Sequence, residues 1–453
     1  MKEIVRFNLT TTQKIMLSFL VVILAGSVLL ALPISSASGE AVPYIDALFT
    51  ATTSTCVTGL VTVPTVSTWS LFGQIVLLGL IQVGGLGVIT IVTGFSVGMQ
   101  RRMGIGDSLL IQDAFNLNTM SGMKEFVKKV IKGTFVVEAV GALMYTSVFV
   151  PAYGIKGVWI SIFNSISAFC NAGIDIFAED SLCAYVHHPL VNIVTCILII
   201  LGGIGYIVWW DIVRVLKDRK KLKWKCWRSL TLHSKIALST TGILIISGAV
   251  FIFIFEYNNP LTMADFTIGQ RIQASLFQSI TTRTAGFATL PQQNLTNASS
   301  MVSLLLMFIG GSPVGTAGGV KTVTMAILLM SAFATIKNQN EVSLFNRTIS
   351  KQAVSKAVAV TSMSFIIMFV STVLLSAVTE ADALDILFET VSATATVGLS
   401  RNLTSFLDIW GKCIIIVTMY LGRVGPISLA TAFNSRKEIP NIIKNPTEKI
   451  SVG

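Results

Sequence analysis

The sequence has 453 residues, of which 53% are hydrophobic and 12% charged. A soluble globular protein carries about a quarter charged residues, and a mean hydropathy of +0.75 excludes that class. The net charge of +11 would suit a nucleic-acid partner, but its distribution along the chain argues for a membrane surface instead.

Crossing a bilayer core takes about 20 apolar residues. Runs of that order lie near 13–33, 70–97, 130–150, 190–214, 236–256, 300–335, 356–379 and 407–433. They predict an all-α membrane protein. The first, apolar from Ile15 to Leu32, is too long for a signal-peptide core, so a retained helix that also targets the chain is expected. Lys and Arg gather in alternate connections. Three precede the first span (Lys2, Arg6, Lys14), six lie in 101–132, nine in 214–235, four in 337–356 and four in the tail. The other connections hold Lys156, Arg271, Arg283, Arg401 and Lys412. Positive loops stay in the cytoplasm, which predicts both termini there. The run KDRKKLKWKCWR reads as a loop facing lipid headgroups rather than nucleic acid.

Six cysteines without a CxxC pair and three histidines outside any HExxH pattern suggest neither zinc nor a disulfide framework. No nucleophile–base pair points to an enzyme. The Gly-rich segments lie in spanning helices rather than after a strand of a βαβ unit, so no nucleotide site is expected in this chain.

The connections on the less basic side repeat. Aligned, they read IDALFTATTSTCVTGL, ISIFNSISAFCNAGI, QASLFQSITTRTAGF and LDILFETVSATATVGL. Their terminal glycines, Gly59, Gly173, Gly286 and Gly398, are 114, 113 and 112 residues apart. A Phe precedes the glycine by ten residues in three copies (Phe49, Phe163, Phe388) and by nine in the third (Phe277). Self-similarity at that period predicts four repeats, 1–100, 101–218, 219–340 and 341–453. Each is a membrane helix, a short pore helix and a second membrane helix. The short segment is too short to span, so it re-enters, which irregular backbone tolerates only inside protein or against a water-filled cavity. Four such segments around one axis make a single pore.

The residues ending each copy are the candidate ion ligands: Val57, Thr58 and Gly59; Asn171, Ala172 and Gly173; Thr284, Ala285 and Gly286; Thr396, Val397 and Gly398. None has a carboxylate among the three residues before its glycine, which leaves backbone carbonyls, hydroxyls and one amide. A carbonyl ring replaces the hydration shell of a weakly hydrated cation such as potassium, and glycine permits the torsions that aim carbonyls inward. Glu40, Asp46, Asp175, Glu179, Asp180 and Asp265 lie on the same side and would raise the local cation concentration.

A second repeat lies in the later helices: VGGLG (83–87), LGGIG (201–205), IGGSP (309–313) and LGRVG (421–425). Small residues there allow close helix contact. The third copy opens the run GGSPVGTAGG (310–319), which disfavours helix and predicts an intramembrane loop that obstructs the pore. Its gate residues are Gly310, Gly311, Ser312, Pro313, Gly315, Thr316, Gly318 and Gly319. In the fourth copy Arg423 replaces glycine. An intramembrane arginine marks function by default, and carbonyls or hydroxyls of 310–319 are its expected partners. Alternating-access transporters carry inverted or paired repeats, so four same-direction repeats favour a filter-type pore over such a mechanism.

VTGL at 57–60 and ATVGL at 395–399 resemble the degenerate potassium-filter motif of the Trk/Ktr/HKT superfamily, and the resemblance runs from about residue 10 to 435. A first helix near residue 13, without the two leading helices of the Trk type, makes the chain most similar to the Ktr-type membrane subunit. The resemblance implies potassium as the transported ion, since sodium-selective plant relatives replace the first filter glycine by serine and Gly59 stands here. It also implies a gating loop at 310–319, a homodimer in the cell membrane, and a separate cytosolic nucleotide-binding ring of RCK type.

Overall fold

The computed structural model describes residues 10–88, 90–91, 123–218, 226–339 and 341–425. Helix α1 (Thr11–Leu30) starts on a reciprocal cap in which Thr10 accepts the Gln13 amide N–H and Gln13 accepts that of Thr10. It is followed by α2 (Tyr44–Cys56) and α3 (Leu71–Leu86). The order long, short, short then recurs. Helices α4 (Met123–Tyr153), α5 (Lys156–Cys170) and α6 (Pro189–Ile204) are followed by α7 (Tyr206–Lys217). Next come α8 (Leu232–Glu256), α9 (Ile268–Thr281), α10 (Asn297–Phe308) and α11 (Thr322–Ile336). Last are α12 (Lys351–Val378), α13 (Ala383–Ala395) and α14 (Ile409–Val424).

The leading helices α1, α4, α8 and α12 are each long and apolar enough to cross a membrane, yet only 17–28% of each spanning window is buried inside the protein. Their outward residues include Val28, Leu143, Ile243 and Phe369. Such a surface is stable only against hydrocarbon. The chain is a multi-pass membrane protein.

The short helices α2, α5, α9 and α13 have 13, 15, 14 and 13 residues, too few to span. Each is anchored by the repeated phenylalanine, since Phe49, Phe163, Phe277 and Phe388 are all fully buried. Burying one such ring contributes about 1.5–3 kcal/mol. Each short helix packs on the second helix of the preceding repeat: α5 on α3, α9 on α6, α13 on α10, and α2 on α14. Phe49 accordingly shares a core with Ile415 and Met419, and Phe388 one with Leu304 and Met307. The first repeat thus meets the fourth, and the packing closes into a ring.

The second helices differ from expectation. The hydropathy runs at 70–97, 190–214, 300–335 and 407–433 read as continuous spans, but each helix stops at its glycine motif. α3 ends at Gly87 and α14 at Gly425, both with positive φ. α6 and α7 meet at Gly205 with a bend of 99°, and α10 and α11 are separated by the 310–319 loop. Close packing is the cause. A side chain at Gly84 would collide with the Thr55 carbonyl, one at Gly202 with the Phe169 carbonyl, and one at Gly422 with the Thr394 carbonyl. These carbonyls all stand four residues before a repeat glycine. The helices lean on the ends of the short helices, and the left-handed glycine after each contact turns the chain away. The expected continuations into 92–97 and 426–433, and the repeat boundary at 100/101, fall outside the described residues.

A two-residue antiparallel hairpin, Ser343–Leu344 with Arg347–Thr348, joins α11 to α12. Phe345 and Asn346 at its turn both have positive φ, the twist a two-residue hairpin requires. Nothing in the helical reading of the sequence predicts it.

The lean of α3 on α2 can be tested within one helix. An added methyl at Gly79 meets nothing within 4 Å, so Gly79→Ala should hold or raise the thermal midpoint in detergent, by up to about 1 kcal/mol of helix propensity. Gly84→Ala should lower it, since overpacking costs about 1–3 kcal/mol. Equal midpoints for the two variants would contradict the close approach.

Candidate functional site

Two residues before its repeat glycine each copy has a left-handed residue: Val57 (φ 55°), Asn171 (60°), Thr284 (65°) and Thr396 (51°). It caps the short helix in three copies, whereas α9 ends earlier, at Thr281. Three of the four are β-branched, for which this conformation is a true outlier, with a cost of about 1–3 kcal/mol each. The glycines that follow are left-handed too, with φ of 102°, 64°, 82° and 96° at Gly59, Gly173, Gly286 and Gly398.

Hydrogen bonds fix this shape in every copy. The N–H of the residue between is held by a helix carbonyl: Thr58 by Thr53 at 2.8 Å, Ala172 by Ser167 at 2.8 Å, Ala285 by Thr281 at 3.0 Å and Val397 by Ser392 at 2.8 Å. The same four residues use their hydroxyls as clasps. Thr53 Oγ1 and Ser392 Oγ accept the N–H of Gly59 and Gly398, at 2.9 and 3.0 Å. Ser167 Oγ and Thr281 Oγ1 donate to the carbonyls of Ile174 and Phe287, both at 2.6 Å. Sequence reasoning does not assign these clasps, since it singles out only the three residues that end each copy.

The four loops form one closed ring. A side chain at Gly59 would strike the Ala172 carbonyl oxygen, and one at Gly173 the Ala285 carbonyl at 2.5 Å. One at Gly286 would strike the Val397 carbonyl at 2.5 Å, and one at Gly398 the Thr58 carbonyl. Each oxygen belongs to the residue just before the next repeat's glycine, and the fourth contact returns to the first loop. All twelve sequence-predicted ligand residues therefore meet in one place. The side chains of Thr58, Asn171, Thr284 and Thr396 are buried there with polar atoms that have no protein partner. Such atoms are costly unless something else satisfies them.

The 310–319 run is a loop as expected. Its neck is a parallel bridge between Ile309 and Val320, with Gly310 N–H donating to the Val320 carbonyl at 3.0 Å. Its backbone is satisfied by the broken α6–α7 helix: Ser312 and Thr316 N–H donate to the Gly203 and Gly202 carbonyls at 2.8 and 3.1 Å, and Tyr206 N–H donates to the Val314 carbonyl at 2.9 Å. The loop lies against the ring. A side chain at Gly318 would collide with Thr396 Oγ1, and Thr316 Oγ1 donates to the Phe169 carbonyl at 3.1 Å. Together with Arg423 and Lys321 the loop lines a cavity of about 380 Å³.

Arg423 reaches the partner class expected of it. Its Nη1 donates to the Thr316 carbonyl at 2.7 Å, and its Nη2 to the Gly84 carbonyl of α3 at 2.5 Å. Lys321 Nζ folds back onto the Ala317 and Gly318 carbonyls at 2.7 and 3.3 Å. Arg283, read as a loop residue, is instead buried and donates to the Gly310 carbonyl at 3.2 Å; nothing in its local sequence except a break in the repeat marks it.

The acidic residues divide. Glu40, Glu179, Asp180 and Asp265 are exposed. Asp46 is engaged by Lys412 at 2.6 Å and does not serve as a free cation attractor. Asp175, two residues beyond Gly173, is buried. Burial pushes its carboxyl up to about 7 against hydrogen bonds from Ser181 and the Ala178 backbone, so near neutral pH it carries only part of a charge.

A family model described as "TrkH: Cation transport protein" matches residues 5–444. The chain is 39% identical to Ktr system potassium uptake protein B of Bacillus subtilis, over 97% of this chain and 95% of that protein. It is 37% identical to potassium/sodium uptake protein NtpJ of Enterococcus hirae, over 100% and 99%. The crystal structure of the potassium transporter TrkH from Vibrio parahaemolyticus superposes with a TM-score of 0.74 at 16% identity, covering 94% of this chain and 86% of that one. This chain belongs to the TrkH family of cation transport proteins.

Proposed function

We propose that this protein takes up potassium across the cell membrane through a single pore, with the ring of four glycine loops as its selective constriction. The observation that carries the reading is the closure of that ring, glycine against carbonyl, through all four repeats. Backbone carbonyls supply partial charges without a full carboxylate, which suits a monovalent ion that sheds water easily. Four short helices direct their C-terminal, partially negative ends toward the ring. The names of the Bacillus and Enterococcus relatives, which both include potassium uptake, support the choice of ion.

The loop 310–319 is the gate in this reading, and Arg423 is its latch. A charge-assisted hydrogen bond contributes about 1.5–3 kcal/mol, and Arg423 makes two. Its charge also opposes a cation on the same path. The basic connections support a cytoplasmic position for both termini, on the side of the anionic lipid headgroups. Relatives named as proteins B and D of a Ktr system support a multi-part assembly. The full reading is a homodimer seated on a cytosolic nucleotide-binding ring of RCK type that controls the loop, with no nucleotide bound by this chain itself.

Two measurements in liposomes test the pore and the gate separately. Gly59→Ser places a side chain against the Ala172 carbonyl and should lower the potassium-to-sodium flux ratio; an unchanged ratio would remove the ring from selectivity. Deleting part of 310–319, or Arg423→Ala, should raise potassium flux about tenfold or more in the absence of the partner ring, with the ratio preserved. Wild-type flux from both folded variants would mean that the loop is not the gate.

A further inference from the structure

We infer that Arg283 is a second clamp on the intramembrane loop, one that ties the loop's neck to the third glycine loop of the ring and so couples gate to filter. The inference rests on the pore-and-gate reading above.

The repeat itself singles out this residue. Three residues before the glycine, the other copies carry Cys56, Cys170 and Ala395, all small, while the third carries Arg283. The small residues do a packing job. Cys170 fits beneath Gly85 of the preceding repeat, and Ala395 lies beside Gly319. In the third copy the position instead holds a long cation, in the one repeat whose second helix opens into a loop.

Arg283 follows the end of α9 and directly precedes Thr284, the left-handed residue of the third glycine loop. It is buried, and its Nη2 donates to the Gly310 carbonyl at 3.2 Å and reaches Thr241 Oγ1 at 3.4 Å. Nε has no protein partner. A cavity of about 10 Å³ adjoins it, lined by Gly203, Thr241 and Gly311 among others, close to the space one water needs. None of the four ion pairs among the described residues involves Arg283. A buried guanidinium without a carboxylate is costly, and two features compensate. The last carbonyls of α9 lend it partial negative charge, and the Gly310 carbonyl accepts a charge-assisted hydrogen bond.

The two arginines hold different parts of the loop. Gly310 belongs to the neck, paired with Val320. Thr316 belongs to the crown, held across the ring by Arg423 to the Gly84 carbonyl of the first repeat. Freeing the crown lets the loop swing about a neck that still braces Thr284. Freeing the neck loosens the loop and removes the brace from the third glycine loop together.

The test compares Arg283→Gln, Arg283→Lys and Arg423→Gln in the full-length protein in liposomes, with flux normalised to folded protein. Arg283→Gln should raise potassium flux about tenfold, the effect of one charge-assisted hydrogen bond on a two-state equilibrium, and should lower the potassium-to-sodium ratio. Arg423→Gln should raise flux with the ratio unchanged. Arg283→Lys, which keeps the charge without the planar fork, should shift both readouts in the same direction by less, and it decides the matter if the glutamine variant does not fold. Wild-type flux and ratio at position 283, with raised flux for Arg423→Gln, would overturn the clamp and leave the gate standing. Raised flux at position 283 with an unchanged ratio would overturn the coupling to the filter. Wild-type flux from Arg423→Gln as well would remove the gate on which the inference rests.

Discussion

Four glycines lie so close to the carbonyl oxygens of their neighbours that no side chain fits at any of them. The rest of the molecule is arranged around that contact. For backbone to meet backbone on an axis, each loop must turn through a left-handed residue, and in three copies that residue is β-branched. The cost is about 1–3 kcal/mol per copy. Against it stand two hydrogen bonds from the hydroxyl residue behind each loop, together about 1–3 kcal/mol, and the burial of one phenylalanine, about 1.5–3 kcal/mol. Both devices recur in all four copies. The packing of each short helix on the preceding second helix fixes the loops at the same height.

The same demand explains the broken second helices. Gly84, Gly202 and Gly422 must approach the ends of the short helices, and a helix that leans so closely ends there. In the third repeat the break has widened into a loop, and its backbone polar groups must be satisfied at membrane depth. The broken α6–α7 helix supplies three of those hydrogen bonds. Three cations supply others: Arg423 at the crown, Lys321 at the exit and Arg283 at the neck. None of the three faces a carboxylate in the ion pairs among the described residues. Carbonyl oxygens do the work of counterions here, which binds the side chains to a particular backbone shape rather than to a mobile acid.

Much of this is legible in the sequence, because repetition makes weak signals strong. One glycine after a hydroxyl-rich stretch is a turn; four at a spacing of 112–114 residues are a ring. The loop is legible because Gly and Pro interrupt an apolar run, and the Arg423–loop contact follows from an intramembrane donor near unsatisfied carbonyls. The breaks in the other second helices are not legible. VGGLG and LGGIG sit inside apolar runs whose hydropathy is continuous, and only the approach of Thr55 and Phe169 reveals the cause. Asp46 is misread because its partner Lys412 lies 366 residues away, and no local pattern carries that pairing. Arg283 is misread because a charge between two helices suggests an exposed loop. Its signal was present in the alignment of the four copies, as the one long residue in a column of small ones.

In the proposed pore the transported ion is held by the ring of carbonyls. Anomalous diffraction from crystals of the full-length protein soaked in thallium, a heavy-atom substitute for potassium, tests this most directly. An anomalous peak is expected on the axis, bounded by the carbonyls of Thr58, Ala172, Ala285 and Val397, and it should fade as potassium is added back. Thallium bound elsewhere in the chain, with the ring empty and indifferent to potassium, would contradict it.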